Sequence, residues 1–178
     1  MKKIKIQTEI RVNPIPENTV ILTFLERDQI FLEPDYQRQS EVWSTDKKQL
    51  LIDSIINRFD IPKFYLHEFE KPKRLGGRVC KYALIDGKQR LTAIWSFINN
   101  EFPLSNDMVY LTDPTIELSG LTYSELSKKY PKISAYFDGR PLSLMAVRTD
   151  DIELIEEMFT RLNNPNLRIS RFGLQAMG

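Results

Sequence analysis

Residues 81–97 read KYALIDGKQRLTAIWSF. An apolar run ends in Asp86, Gly87 breaks it, and Lys88, Gln89 and Arg90 follow before a helical pattern begins. A strand entering a helix through a glycine leaves backbone N–H groups at the helix start, where the dipole favours an anion. Gly87 has no Cβ to hold an anion away. Arg90, in the first helical turn, can grip a phosphate through two parallel hydrogen bonds, and Lys88 adds a point charge. Gln89 can orient a water or a phosphate oxygen, and Asp86 can hold Mg2+, which prefers carboxylate plus phosphate oxygens. A nucleotide gives all five residue types a task. The plainer reading is that Asp86-Gly87 is a turn, with Asp86 capping the helix and both cations solvated. No GxxxxGK[ST] loop or GxGxxG turn occurs, so a standard phosphate loop or dinucleotide fold is not supported.

The elements around this turn follow from pattern. The Tyr82–Ile85 run predicts a strand buried on both faces, and Leu91, Ile94, Trp95 and Ile98 predict one helix face ended by Asn99-Asn100. Upstream, 18–27 reads as a helix and 29–34 as a short strand stopped by Pro34. A loop, DYQRQSEVW, precedes a helix that Asp46 and Gln49 would open as a capping box. Leu51, Ile52, Ile55, Ile56 and Phe59 would form its buried stripe, with Pro62 ending the segment. KFYLHEF reads as a strand, KPKRLGG as a polar turn around Gly76-Gly77, and RVCKYALID as the returning strand. Downstream, Thr122 and Glu125 form a capping box, Leu121 and Leu126 a hydrophobic staple, and Pro131 a stop. PLSLMAVR reads as a strand. Asp150 would cap a last helix facing inward through Ile152, Ile155, Phe159 and Leu162, ended by Pro165. These elements amount to an α/β (α+β) chain: a small mixed sheet, flanking helices and a helical C-terminal part.

Composition narrows the function classes. The 178 residues suit one domain, with a core over about 18–165. Lys and Arg total 25 against 24 Asp and Glu, which disfavours a dedicated non-specific nucleic-acid binder but leaves room for a local basic pocket. One cysteine, Cys80, excludes an internal disulfide and suits the reducing cytoplasm. With one histidine, His67, this chain alone builds neither a Cys/His zinc cluster nor a two-histidine or HNH metal centre. No apolar run reaches the roughly 18–20 residues of a membrane span, and the start MKKIKIQTEIRV lacks the apolar segment of a secretory signal.

Three motifs carry a resemblance. DGKQRLTAI resembles the D-G-Q-Q-R signature of the N-terminal domain of GmrSD-type restriction endonucleases. PDYQRQSEVW, Pro34 to Trp43, is similar to that family's proline-aromatic-Q-R element followed by tryptophan, and FTRLN, Phe159 to Asn163, to its late F-x-x-L-N helix. Together they cover roughly residues 20–165 in the family's order. The resemblance implies a ParB/sulfiredoxin-like fold whose G-x-x-R turn, here Gly87 to Arg90, grips nucleotide phosphates. It further implies a module that binds and often hydrolyses nucleoside triphosphates in modification-dependent restriction and phage defence, working with a nuclease component. Three departures stand out. Lys88 replaces the usual glutamine, the tail RISRFGLQAMG matches poorly, and the nuclease domain is absent; the tail stops without a terminating logic, which reads as a fragment of a longer protein or an engineered end. Lys88 also stands where sulfiredoxins carry their reactive cysteine, which excludes that chemistry.

Beside the turn, Gln37 and Arg38 suit a phosphate or a base edge and Tyr36 can stack on a base; the alternative is a structural loop. Trp43 reads as a core anchor. Asn163 is a helix C-cap or a nucleotide contact, and Arg161 sits on a solvated face. His67 reads as structural, Cys80 as a small buried side chain, and KPKRLGGR as a solvated hairpin tip able to touch a DNA backbone. Three functions remain open. The first is a Mg2+-dependent nucleoside triphosphatase with Asp86, Gln89 and Arg90 as catalytic residues; Gly87, Lys88, Arg90, Tyr36, Gln37, Arg38 and Asn163 would bind nucleotide. The second is a DNA-binding module that senses modified DNA without turnover. The third is a ParB-like nuclease using Asp86 and a second carboxylate around a metal.

Overall fold

The computed structural model describes residues 9–35 and 42–164. Tyr36, Gln37, Arg38, Pro165 and the tail after it lie outside the described residues. The elements are β1 (Arg11–Pro14), α1 (Val20–Leu25), β2 (Ile30–Phe31), α2 (Thr45–Ile56), β3 (Phe64–Leu75), β4 (Arg78–Asp86), α3 (Lys88–Ile98), α4 (Tyr123–Lys129), α5 (Pro131–Asp138), β5 (Leu144–Arg148) and α6 (Ile152–Leu162). One mixed five-stranded sheet has the order β1-β5-β3-β4-β2. The β3–β4 hairpin is antiparallel, as is β1–β5, whereas β5 runs parallel to β3 and β2 parallel to β4. The mixed sheet with flanking helices is the fold class that the sequence predicts.

Side chains alternate across a strand, and the alternation separates two cores. Phe64, Leu66, Leu84 and Leu144 face one way, where Leu51, Ile52, Ile55 and Ile56 of α2 and Leu91, Ile94 and Ile98 of α3 cover them. Ile85 and Val147 face the other way and pack with Ile155, Met158 and Phe159 of α6. Tyr82 to Ile85 thus serve a strand covered on both sides. Phe97 fastens α3 deeper in the main core, with ring centroids 5.7 Å from Phe102, 5.9 Å from Tyr123 and 5.5 Å from Phe137.

Several boundaries differ from the sequence reading. Ser44, not Asp46, caps α2, its hydroxyl accepting from the Lys47 N–H; Gln49 instead donates to the Pro103 carbonyl at 3.0 Å. α2 ends at Ile56, so Phe59 lies beyond the stripe and is exposed. The first helix is shorter than predicted, capped by Thr19, and β2 holds only Ile30 and Phe31. Lys71 to Leu75 belong to β3, leaving Gly76-Gly77 as the turn, both at positive φ. Pro131 starts α5 rather than merely stopping α4, because a missing N–H costs nothing in a first turn. Asp151, one residue after the predicted cap, accepts from the Glu153 N–H. On α6 the inward seam is Ile155, Met158 and Phe159, while Ile152 and Leu162 are exposed. The exposed edge strand β1 has no alternating pattern and escaped the sequence reading.

Candidate functional site

Gly87 is the N-cap of α3, with φ 107° and no side-chain hydrogen bond closing the helix start. Its lack of a side chain has a local cause as well. A Cβ there would lie 2.5 Å from Cδ1 of Phe64, a fully buried ring at the start of β3. The backbone conformation and the ring therefore each demand glycine. This excludes the reading of Asp86 as the cap: Asp86 is the last residue of β4, and the chain turns one residue later.

Arg90 reaches back across that turn. Its Nη2 donates to Asp86 Oδ2 at 2.6 Å, and Nη1 donates to the carbonyls of Lys63, at 3.1 Å, and Pro62. The guanidinium carbon stands 4.8 Å from the centre of the Phe64 ring. Side-chain exposures of 12% for Arg90 and 24% for Asp86 separate this pair from an ordinary surface ion pair. Screening is weak at such a site, and each charge depends on the other. Arg90 is therefore not solvated. Asp86, Gly87, Arg90 and Phe64 form one packed unit at the joint of β4 and α3.

The two intervening side chains reach a different part of the chain. Lys88 Nζ pairs with Glu33 Oε1 at 3.1 Å, and the Trp43 N–H donates to Gln89 Oε1 at 3.2 Å. Glu33 and Trp43 flank the segment carrying Tyr36, Gln37 and Arg38, so consecutive residues of one motif hold both ends of the other. Trp43 packs against the main core, as its anchor reading predicts. The Lys88–Glu33 pair is open to water, with Glu33 76% exposed, and adds little stability.

Asn163 is the C-cap of α6, and its Nδ2 donates to the Phe159 carbonyl at 2.9 Å. Phe159 packs in the second core with Tyr65, the ladder partner of Asp86. Asn163 thus sits one turn beyond a residue of that core. Arg161 pairs with Glu157 on the solvated face. Cys80 is buried, with Sγ directed at backbone carbonyls, and His67 bonds elsewhere, to Thr149, so the two form no dyad. Phe64, Glu33 and the Pro62 and Lys63 carbonyls are the participants that sequence reasoning missed. Only Gly87 hinted at them, since a glycine at a strand end signals a close neighbour.

Among the described residues no cluster of three or more His, Cys, Asp or Glu side chains could hold a metal ion. Asp86 brings one carboxylate, which suffices for a magnesium ion taking its other ligands from phosphates and water. No helix among the described residues is long and apolar enough to cross a membrane.

Neither a curated protein nor a solved structure matches the chain, so the ParB/sulfiredoxin likeness rests on the family resemblance. The family model described as GmrSD restriction endonuclease, N-terminal domain, matches residues 21–174. That span holds the 86–90 turn, both of its anchors and the segment between them, and the chain belongs to the GmrSD restriction endonuclease N-terminal domain family.

Proposed function

We propose that this domain binds a nucleoside triphosphate at the Asp86–Arg90 turn and hydrolyses it with Mg2+ as part of a restriction and phage-defence system. The observation that carries the reading is the joining of two motifs: Lys88 and Gln89 hold Glu33 and Trp43 at the two ends of the Tyr36–Arg38 segment. A structural turn has no need to gather Asp86, Lys88, Gln89, Arg90, Glu33 and Trp43 around one helix start.

The first-turn N–H groups of α3 receive the phosphate chain, and Lys88, the most exposed cation of the turn, exchanges Glu33 for a phosphate oxygen. Arg90 fixes the Asp86 carboxylate and supplies charge from the helix side. Asp86 would hold the magnesium ion, which would supply Lewis acidity at the phosphates. Gln89 positions the attacking water, Tyr36 stacks on the base, and Gln37 and Arg38 take a phosphate or a base edge. Asn163 contributes from the end of α6. Catalysis by such a site is positioning and charge stabilisation. DNA, modified or not, and a nuclease component are the partners that this role entails.

Phosphate release from ATP, GTP, CTP and UTP, with magnesium and with or without DNA, tests the reading. Parent, Lys88→Ala and Asp86→Asn proteins are run together. Turnover that both substitutions abolish supports it. Turnover unaffected by either, or binding of nucleotide equally tight in Lys88→Ala, sinks it.

A further inference from the structure

A second cleft, of about 400 Å3, opens on the α6 side of the sheet, lined by His67, Phe69, Lys71, Pro72, Lys73 and Ile152 among others. It exists because β3 bulges: the ladder to β4 is regular at Glu68 and again at Lys73, and residues 69–72 between them have no partner on β4. Bulges of this kind re-aim side chains and are common beside binding sites. At its back His67 is 4% exposed. Its Nε2 lies 3.2 Å from the Thr149 carbonyl, and since a carbonyl only accepts, Nε2 carries the proton. Nδ1 is then a bare acceptor, buried and without a hydrogen-bond partner among the described residues. An unsatisfied buried polar atom needs a reason. The Phe69 ring, part of the unpaired bulge, stands edge-on to the imidazole with ring centroids 5.1 Å apart, and both residues line the cleft.

We propose that this cleft is a nucleotide subsite separate from the 86–90 turn, with a nucleobase amino or imino group donating to His67 Nδ1 and the phosphate on Lys71 and Lys73. Phe69, Pro72 and Ile152 give the walls a flat apolar character suited to a base. Lys73 already stands 4.6 Å over the Phe69 ring, within reach of a ligand stacked there. Glu70 and Asp150 also line the cleft and steer a phosphate to the lysine wall. A phosphate monoester, mostly dianionic at neutral pH, is a poor donor to Nδ1, whereas every base brings an N–H group. The same chemistry is offered by a free nucleotide and by an unpaired nucleotide of a DNA strand.

His67 is the single histidine, so its imidazole resonances report the cleft without ambiguity. AMP, CMP, ribose 5-phosphate and a short single-stranded oligonucleotide are titrated into the whole chain by NMR, followed at the His67 ring and at the amides of 87–91. The expected result is a saturable shift of His67 Nδ1 with AMP, CMP or the oligonucleotide, and a weaker response to ribose 5-phosphate. Ile152→Trp, a rim substitution at an exposed position, is expected to block it, and Lys73→Glu to weaken it by about tenfold. Tighter binding of the oligonucleotide than of either mononucleotide identifies a strand as the source, and equal binding identifies the free nucleotide. A silent His67 with all ligands, an equal response to ribose 5-phosphate, or an unchanged response in Ile152→Trp overturns the proposal. The amides of 87–91 report the other site separately, so either can fail alone.

Discussion

Phe64 and His67 stand three residues apart on β3 and face opposite sides of the sheet. Around Phe64 every polar group has a place: Arg90 spends donors on Asp86 and on two carbonyls while resting on the ring. Around His67 the ladder is broken, a ring nitrogen lacks a partner among the described residues, and a cleft stands open. The first region is set before any ligand arrives; the second is left to be completed. Preorganised charge suits a site that stabilises a developing charge, because no reorganisation accompanies the reaction. An unsatisfied acceptor beside an open cleft suits recognition of a donor group.

The contrast breaks most visibly at Gly87. Gly87→Ala forces a Cβ against Phe64 at a positive φ, and combining backbone strain with overpacking should cost about 2–5 kcal/mol. Urea denaturation measures it; a cost within error of zero would show that the packed unit is looser than described. Arg90→Ala should cost about 2–3 kcal/mol, because it strands a carboxylate that is three-quarters shielded. The companion Asp86→Asn, Arg90→Ala double variant should recover part of that loss, and strict additivity would argue against the coupling. Gln89→Ala removes the bond from Trp43 and should cost about 1 kcal/mol, with faster amide exchange at Trp43 as its signature.

The His67 side responds to pH instead. Burial holds the imidazole below its ordinary value of 6.5, so between that value and the lower folded one the unfolded chain binds more protons. Stability from this group is complete above about 6.5 and is lost on acidification below it. Thermal melts between pH 7 and 5 should fall less steeply for His67→Gln than for the parent. The smallest stability change belongs to Lys88→Ala, within about 0.5 kcal/mol, since its pair with Glu33 is open to water. That makes it the cleanest functional probe of the turn.

How far the sequence revealed all this depends on the range of each interaction. α3, the capping box at Thr122 and Glu125, and the Gly76-Gly77 hairpin were legible because their determinants lie within a few residues. The caps at Ser44 and Asp151 were misplaced by one or two residues because neighbouring Ser, Thr and Asp side chains compete for the same role. β1 was illegible because an exposed edge strand of four residues lacks an alternating pattern. At the turn, residue types suggested chemistry, yet the Phe64 ring and the Glu33 and Trp43 anchors come from distant chain. No local spacing encodes them. The bulge at 69–72 was illegible because Phe69 continues the strand pattern while Lys71 and Pro72 resemble the start of a polar turn.

The most direct test of the 86–90 turn as the phosphate site is an NMR titration with magnesium and a non-hydrolysable nucleoside triphosphate, in parent and Lys88→Ala. The amides of Gly87 to Leu91 should shift and saturate in the parent, and the apparent affinity should fall about tenfold or more in the variant, with its stability unchanged. Silent amides at 87–91, or equal affinity in the two proteins, would contradict the assignment and leave the turn a structural joint.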